Sequence, residues 1–93
     1  MRLLIILFIS SFSVTGYSQY LASEYNSRGN NKFILKDFRG AITEYNKAFE
    51  ISPKYAFVYY NRGLAKAELT DYRGAIADYS KAIELDYKGA GLQ

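Results

Sequence analysis

One string of residues occurs twice in this chain. Asp37, Phe38, Arg39, Gly40, Ala41 and Ile42 return as Asp71, Tyr72, Arg73, Gly74, Ala75 and Ile76. Aligning Ala22 with Ala56 also superposes Tyr25 on Tyr59, Arg28 on Arg62, Gly29 on Gly63, Lys32 on Lys66, Tyr45 on Tyr79, Ala48 on Ala82 and Glu50 on Glu84, each pair 34 residues apart. A fixed period of this size marks a repeat architecture, in which one small unit cannot bury its apolar face alone and stacks on its neighbour. A chain of 93 residues has room for one small domain, which two such units are expected to form.

Apolar periodicity divides each unit into two helices. Tyr72, Ala75, Ile76, Tyr79, Ala82 and Ile83 recur at helical spacing and form one apolar face, with Arg73, Asp78, Lys81 and Glu84 largely on the other side. The predicted A helices cover residues 21–35 and 55–69, and the predicted B helices cover 38–51 and 72–85. Only Lys36 and Asp37, or Thr70 and Asp71, separate A from B, so each pair is antiparallel. Asp37 and Asp71 stand where an N-cap is needed, since a short carboxylate accepts from the first unpaired N–H groups and meets the positive end of the helix dipole. Pro53 closes the first unit, because it has no N–H to donate and disfavours helical angles at Ser52. Tyr87 holds that place in the second unit, whose end falls instead to Gly89 and Gly91.

Two glycines sit in mid-helix. Glycine there costs about 1 kcal/mol relative to alanine, and Gly29 and Gly63 repeat that cost at the same phase. The predicted reason is close approach of the A and B helices, with Gly29 facing Ala41 and Ala48 and Gly63 facing Ala75 and Ala82. The rings of Tyr25, Tyr45, Tyr59 and Tyr79 would fill the space beside these contacts.

Composition acts mainly by exclusion. The chain has no Cys and no His, which removes thiol nucleophiles, imidazole bases, zinc clusters and Ser/His/Asp triads. It also leaves the redox compartment open. With no phosphate loop or metal-spaced acidic cluster, neither an enzyme nor a cofactor is expected. Asp78 and Glu84 read as surface carboxylates interleaved with Lys81, in ion pairs of a few tenths of a kcal/mol each. Net charge is +3 and the pI about 9.1, but basic and acidic residues alternate, so no nucleic-acid partner is expected.

Residues 1–18 differ in character from the repeat. Arg2 precedes the apolar run Leu3, Leu4, Ile5, Ile6, Leu7, Phe8 and Ile9, and small polar residues follow up to Ser18. This is the form of a secretory signal peptide, with Gly16 and Ser18 at minus three and minus one for cleavage before Gln19. The expected location is periplasmic or secreted, and membrane contact is confined to this segment before cleavage. The competing reading, an uncleaved anchor, meets the difficulty that a spanning helix needs about 20 apolar residues.

The residues quoted above resemble the tetratricopeptide repeat. The aromatic Tyr59 with Gly63 four residues on, then Ala75, Tyr79 and Ala82 in the B helix, and the closing Pro53, match that pattern in phase, as do Tyr25, Gly29, Ala41, Tyr45 and Ala48 in the first unit. The resemblance implies an all-α, right-handed stack of antiparallel helix pairs. It gives a repeat domain over 19–87 whose two 34-residue periods fall at 22–55 and 56–89, the second running into a tail over 88–93 that reads as the start of a third unit. It further implies a non-catalytic module that binds a peptide or protein on the concave face of the A helices. The positions used there carry over to Ser23, Asn26, Ser27, Asn30, Phe33 and Ile34, and to Phe57, Tyr60, Asn61, Leu64, Ala67 and Glu68. Among these, Phe57, Tyr60 and Leu64 make an aromatic and aliphatic strip, Phe33 adds to it, and Asn26, Asn30 and Asn61 offer amides to a peptide backbone. A clamp for a terminal carboxylate is not expected, because Asn26 replaces its first lysine and its third helix is missing. Two units also leave the outer face of the second uncovered. The alternative reading is therefore a structural unit with no ligand of its own, which self-associates through that face or belongs to a longer array.

Overall fold

Four helices follow one another in the computed structural model, which describes the backbone of residues 2–89 and the side chains of residues 16–86. They are α1 (Arg2–Ile34), α2 (Phe38–Ile51), α3 (Ala56–Glu68) and α4 (Tyr72–Gly89). No strand occurs among the described residues. Helix α1 packs on α2, α3 packs on α4, and α2 lies against α3, while α1 barely touches α3. The period is thus realised as two helix pairs stacked side by side.

Both A-to-B turns are built identically. Lys36 and Thr70 hold left-handed backbone, with φ of 65° and 64°. The Lys36 N–H donates to the Phe33 carbonyl at 2.8 Å and the Asp37 N–H to the Lys32 carbonyl at 2.8 Å; Thr70 and Asp71 do the same to Ala67 and Lys66, each at 2.9 Å. This pair of bonds is a Schellman closure. The Asp37 carboxylate then accepts from the Gly40 N–H, and Asp71 from Gly74, each at 3.0 Å. Each aspartate therefore ends one helix with its backbone and caps the next with its side chain.

Helix α2 covers the predicted residues, and α3 starts one residue later and ends one residue earlier than expected, with Tyr55 and Leu69 as its caps. Pro53 lies in the turn between them, and its carbonyl accepts from the Tyr59 hydroxyl at 2.9 Å. Two ends differ more. Helix α4 continues past 85 to Gly89, and Gly91 lies outside the described residues. Helix α1 begins at Arg2 instead of 21, because nothing before Leu21 stops it: the segment contains no proline and one glycine, so backbone hydrogen bonding propagates. The signal-peptide reading of 1–18 rests on side chains that, up to residue 15, lie outside the described ones. Among those described, Ala22, where the repeat begins, is the first to be buried. Among the described residues no helix is long and apolar enough to cross a membrane.

The core is formed by Ala41, Tyr45 and Ala48 of α2 with Val58 and Ala65 of α3, and Tyr25, Phe33, Phe38, Ile42, Phe49 and Tyr55 pack around it. The mid-helix glycines are close contacts, but with a different partner from the one expected. A Cβ on Gly29 would collide with the Tyr45 ring, and one on Gly63 would lie 2.6 Å from the Tyr79 ring and 3.3 Å from the Ala75 carbonyl. The ring of the B helix sits on the glycine, not beside it, and the alanines flank that contact. The α4 face is corrected too. Ala75, Asp78 and Ala82 are its buried residues, whereas Tyr72, Ile76 and Ile83 are exposed. Helical spacing puts 75, 78 and 82 on one line toward α3, and the larger apolar residues beside that line point to where a third unit would stand.

Candidate interaction site

Two amide pairs set the geometry of the A-helix face. Asn61 Nδ2 on α3 donates to Asn26 Oδ1 on α1 at 3.0 Å, a bond that joins the A helices of the two units directly. Tyr45, whose ring rests on Gly29, donates its hydroxyl to Asn30 Oδ1 at 2.7 Å. Tyr45 is buried, and burial pushes its phenol up to about 12. Its hydroxyl therefore stays a donor at any physiological pH, and Asn30 is held with its Oδ1 toward Tyr45 and its Nδ2 turned away.

Between the A helices lies a groove of about 240 Å³ lined by Asn30, Phe33, Ile34, Tyr45, Asn61 and Leu64. Phe33 is fixed edge-on against Phe38, with ring centroids 5.1 Å apart. The lining is mostly apolar, and the two amide bonds engage Asn30 Oδ1 and Asn61 Nδ2, leaving Asn30 Nδ2 as a donor and Asn61 Oδ1 as an acceptor. Such a surface suits a chain that presents alternating carbonyls, amides and side chains.

Phe57 and Tyr60 do not join this groove. They line a second one of about 300 Å³ with Ala56, Ala82, Ile83 and Asp86, at the open end of the stack. The seven candidate residues thus divide: Asn30, Phe33, Asn61 and Leu64 come together, Asn26 supports them from behind through Asn61, and Phe57 and Tyr60 belong to the end face. Ile34, one of the carried-over positions, also lines the groove, and Tyr45, expected only as a structural ring, joins it. Tyr45 could have been found from its spacing, since a ring on the B helix opposite a mid-helix glycine reaches past that glycine toward the A-helix face.

The strongest electrostatic feature lies outside the groove lining and contradicts the sequence expectation. Asp78, expected on the surface, is 4% exposed. Arg62 donates to it with Nε at 2.8 Å and Nη2 at 2.7 Å, and Lys66 Nζ lies 3.1 Å away. Burial alone would raise the Asp78 carboxyl, but the hydrogen bonds and charges of Arg62 and Lys66 outweigh it and hold the group below the usual carboxylate range. Arg62 also donates from Nη1 to Asn46 Oδ1 at 2.9 Å and lies over the Phe49 ring at 4.5 Å, so one guanidinium ties α2, α3 and α4. The expected surface pair does exist between Lys81 and Glu84, at 3.8 Å. Asp78's counterpart in the first unit, Glu44, is buried with Lys47 at 3.6 Å, while Arg28 lies over the Tyr25 ring.

Family comparison fits this geometry. Residues 29–70 match a model described as TPR repeat, and residues 56–88 match one described as Tetratricopeptide repeat. The chain belongs to the tetratricopeptide repeat family. No curated protein matches it. Tetratricopeptide repeats generally mediate protein–protein interaction and are typically non-catalytic modules. In this tetratricopeptide protein the two matched segments together run from residue 29 to 88, from the end of α1 through α2 and α3 into α4, and all six groove residues lie within them.

Proposed function

We propose that this chain is a non-catalytic interaction module that binds an extended peptide or protein segment in the A-helix groove of Asn30, Phe33, Ile34, Tyr45, Asn61 and Leu64. The observation that carries the reading is the pairing of fixed amides with a mostly apolar lining: Tyr45 and Asn26 each occupy one atom of an asparagine, so that Asn30 presents a donor and Asn61 an acceptor. Pre-set amides bind a peptide backbone without first having to be ordered. Phe33 and Leu64 would take the alternate side chains.

The reading is tested by panning a random-peptide display library on the full chain and measuring selected peptides by calorimetry. Leu64→Glu should weaken them by more than about tenfold, as loss of a central contact does, with an unchanged helical circular-dichroism spectrum. Peptides that bind Leu64→Glu as well as wild type would overturn it. The proposal includes export: residues 1–18 act as a leader, supported by their charge and apolar pattern, and the working module begins at Gln19. Mass measurement of the protein from an exporting bacterial host should give that N-terminus, and an intact Met1 would refute cleavage.

A further inference from the structure

We propose that the groove selects peptides carrying a lysine or arginine, which Glu68 and the Tyr79 hydroxyl receive beyond the apolar side chain seated at Leu64. The inference rests on the groove reading and adds a charge specificity to it. Helix α3 gives the groove Asn61 and Leu64, and Glu68, its last residue, lies one turn further along the same stripe. Glu68 is exposed, and among the described residues no ion pair reaches it. The cations of the described A helices are engaged elsewhere: Arg62 and Lys66 with Asp78, Lys32 with Asp37, and Arg28 over the Tyr25 ring. The negative end of the α3 dipole deepens the local charge, since a carboxylate in the last turn adds to that dipole instead of offsetting it.

Tyr79 brings a second acceptor to the same place. Its ring rests on Gly63 as that of Tyr45 rests on Gly29, so its hydroxyl passes the glycine toward the A-helix face. Tyr45 finds Asn30 there, but the residue one period after Asn30 is Leu64, which has no polar side-chain atom. Among the described residues the Tyr79 hydroxyl makes no hydrogen bond. Tyr60 packs against the Tyr79 ring with centroids 5.7 Å apart and holds it in place. Burial raises the Tyr79 phenol, and the charges of Tyr60, Asp78 and Glu68 act in the same direction, so Glu68 is near enough for its charge to be felt there. A peptide that lies along Leu64 and continues past it covers Glu68, and a covered carboxylate needs a cation. A lysine or arginine side chain supplies the charge together with N–H donors for both oxygens. The rise from Leu64 to Glu68 is about 6 Å, which an extended peptide spans in about two residues, so the cation belongs about two positions from the apolar residue on Leu64. An acidic residue there would meet Glu68 and be rejected.

Peptides selected on the full chain test this, because its net charge of +3 would by itself draw acidic sequences. Enrichment of Lys or Arg about two positions from an apolar residue is expected. A selected peptide and its twin with norleucine in place of the cation are then measured by calorimetry. The cationic peptide should lose about threefold in affinity on Glu68→Gln and about tenfold on Glu68→Lys, while the norleucine twin binds both variants as it binds wild type. Tyr79→Phe should weaken the cationic peptide alone. Selected peptides without that enrichment, a cationic peptide that binds Glu68→Lys or Tyr79→Phe as tightly as wild type, or parallel losses in both twins with helicity unchanged would overturn the inference; if those peptides still lose affinity on Leu64→Glu, the groove reading stands. A chain that selects no peptide, or peptides indifferent to Leu64→Glu, would overturn both.

Discussion

Thr70 holds φ of 64°, a conformation in which a β-branched L-residue crowds its own backbone. It does so because the Schellman closure needs a left-handed residue there, and the closure is what lets Asp71 cap the next helix within one step. Thr70→Gly should therefore raise stability by about 1 kcal/mol in urea denaturation; equal or lower stability would show that the position is unstrained. Gly63 is the opposite case. In an open helix Gly→Ala gains about 1 kcal/mol, but at Gly63 the new methyl meets the Tyr79 ring. Gly63→Ala should lower stability by about 1–3 kcal/mol, and a raised melting temperature would refute the contact. The glycine could be read from sequence as a place of close approach; which atom approaches could not, because ring and alanines share a helix face and only side-chain rotamers choose between them. Nor could the left-handed turns, since the residues there are Lys and Thr, without the usual glycine signal.

At the level of helices, Arg62 joins three of the four through Asp78, Asn46 and Phe49. Arg62→Ala would leave Asp78 buried with only Lys66, and should destabilise by about 3 kcal/mol, as breaking a buried pair from one side does. The pH dependence follows in sign. Asp78 has a lower pKa folded than unfolded, so the unfolded chain takes up the proton first. Its contribution is present above the unfolded value of about 4 and is lost as pH falls through the folded one. Acid titration of stability should show this loss, and Asp78→Asn should flatten it. Tyr45 acts at the other extreme: its contribution is present below about 10 and is lost as pH rises toward its folded value of about 12. Tyr45→Phe should remove that alkaline limb. Asp78 lies off the apolar face that the sequence predicts, because that face takes Tyr72, Ile76 and Ile83 as inward whereas all three are exposed. Including these three large residues rotates the predicted face away from the line through Ala75, Asp78 and Ala82, which share helical spacing.

For the whole molecule, the groove and the end face are separate surfaces, since Leu64 lines one and Ile83 the other. Leu64→Glu should weaken peptide binding by more than about tenfold and Ile83→Glu should leave it unchanged; equal loss in both would show that the end face takes part in the site. By itself the sequence determined the repeat, the helix pairing, the aspartate caps and the close contact at the glycines, because each depends on residues near one another in the chain or repeated in phase. Tertiary structure decided the rest. That Asn26 meets Asn61, that Tyr45 fixes Asn30, that Arg62 reaches Asp78, and that Phe57 parts from Leu64 all depend on how two units are rotated against each other. That rotation is set by side-chain packing across α2 and α3, such as Tyr59 on Phe49, and periodicity along one helix carries no record of it.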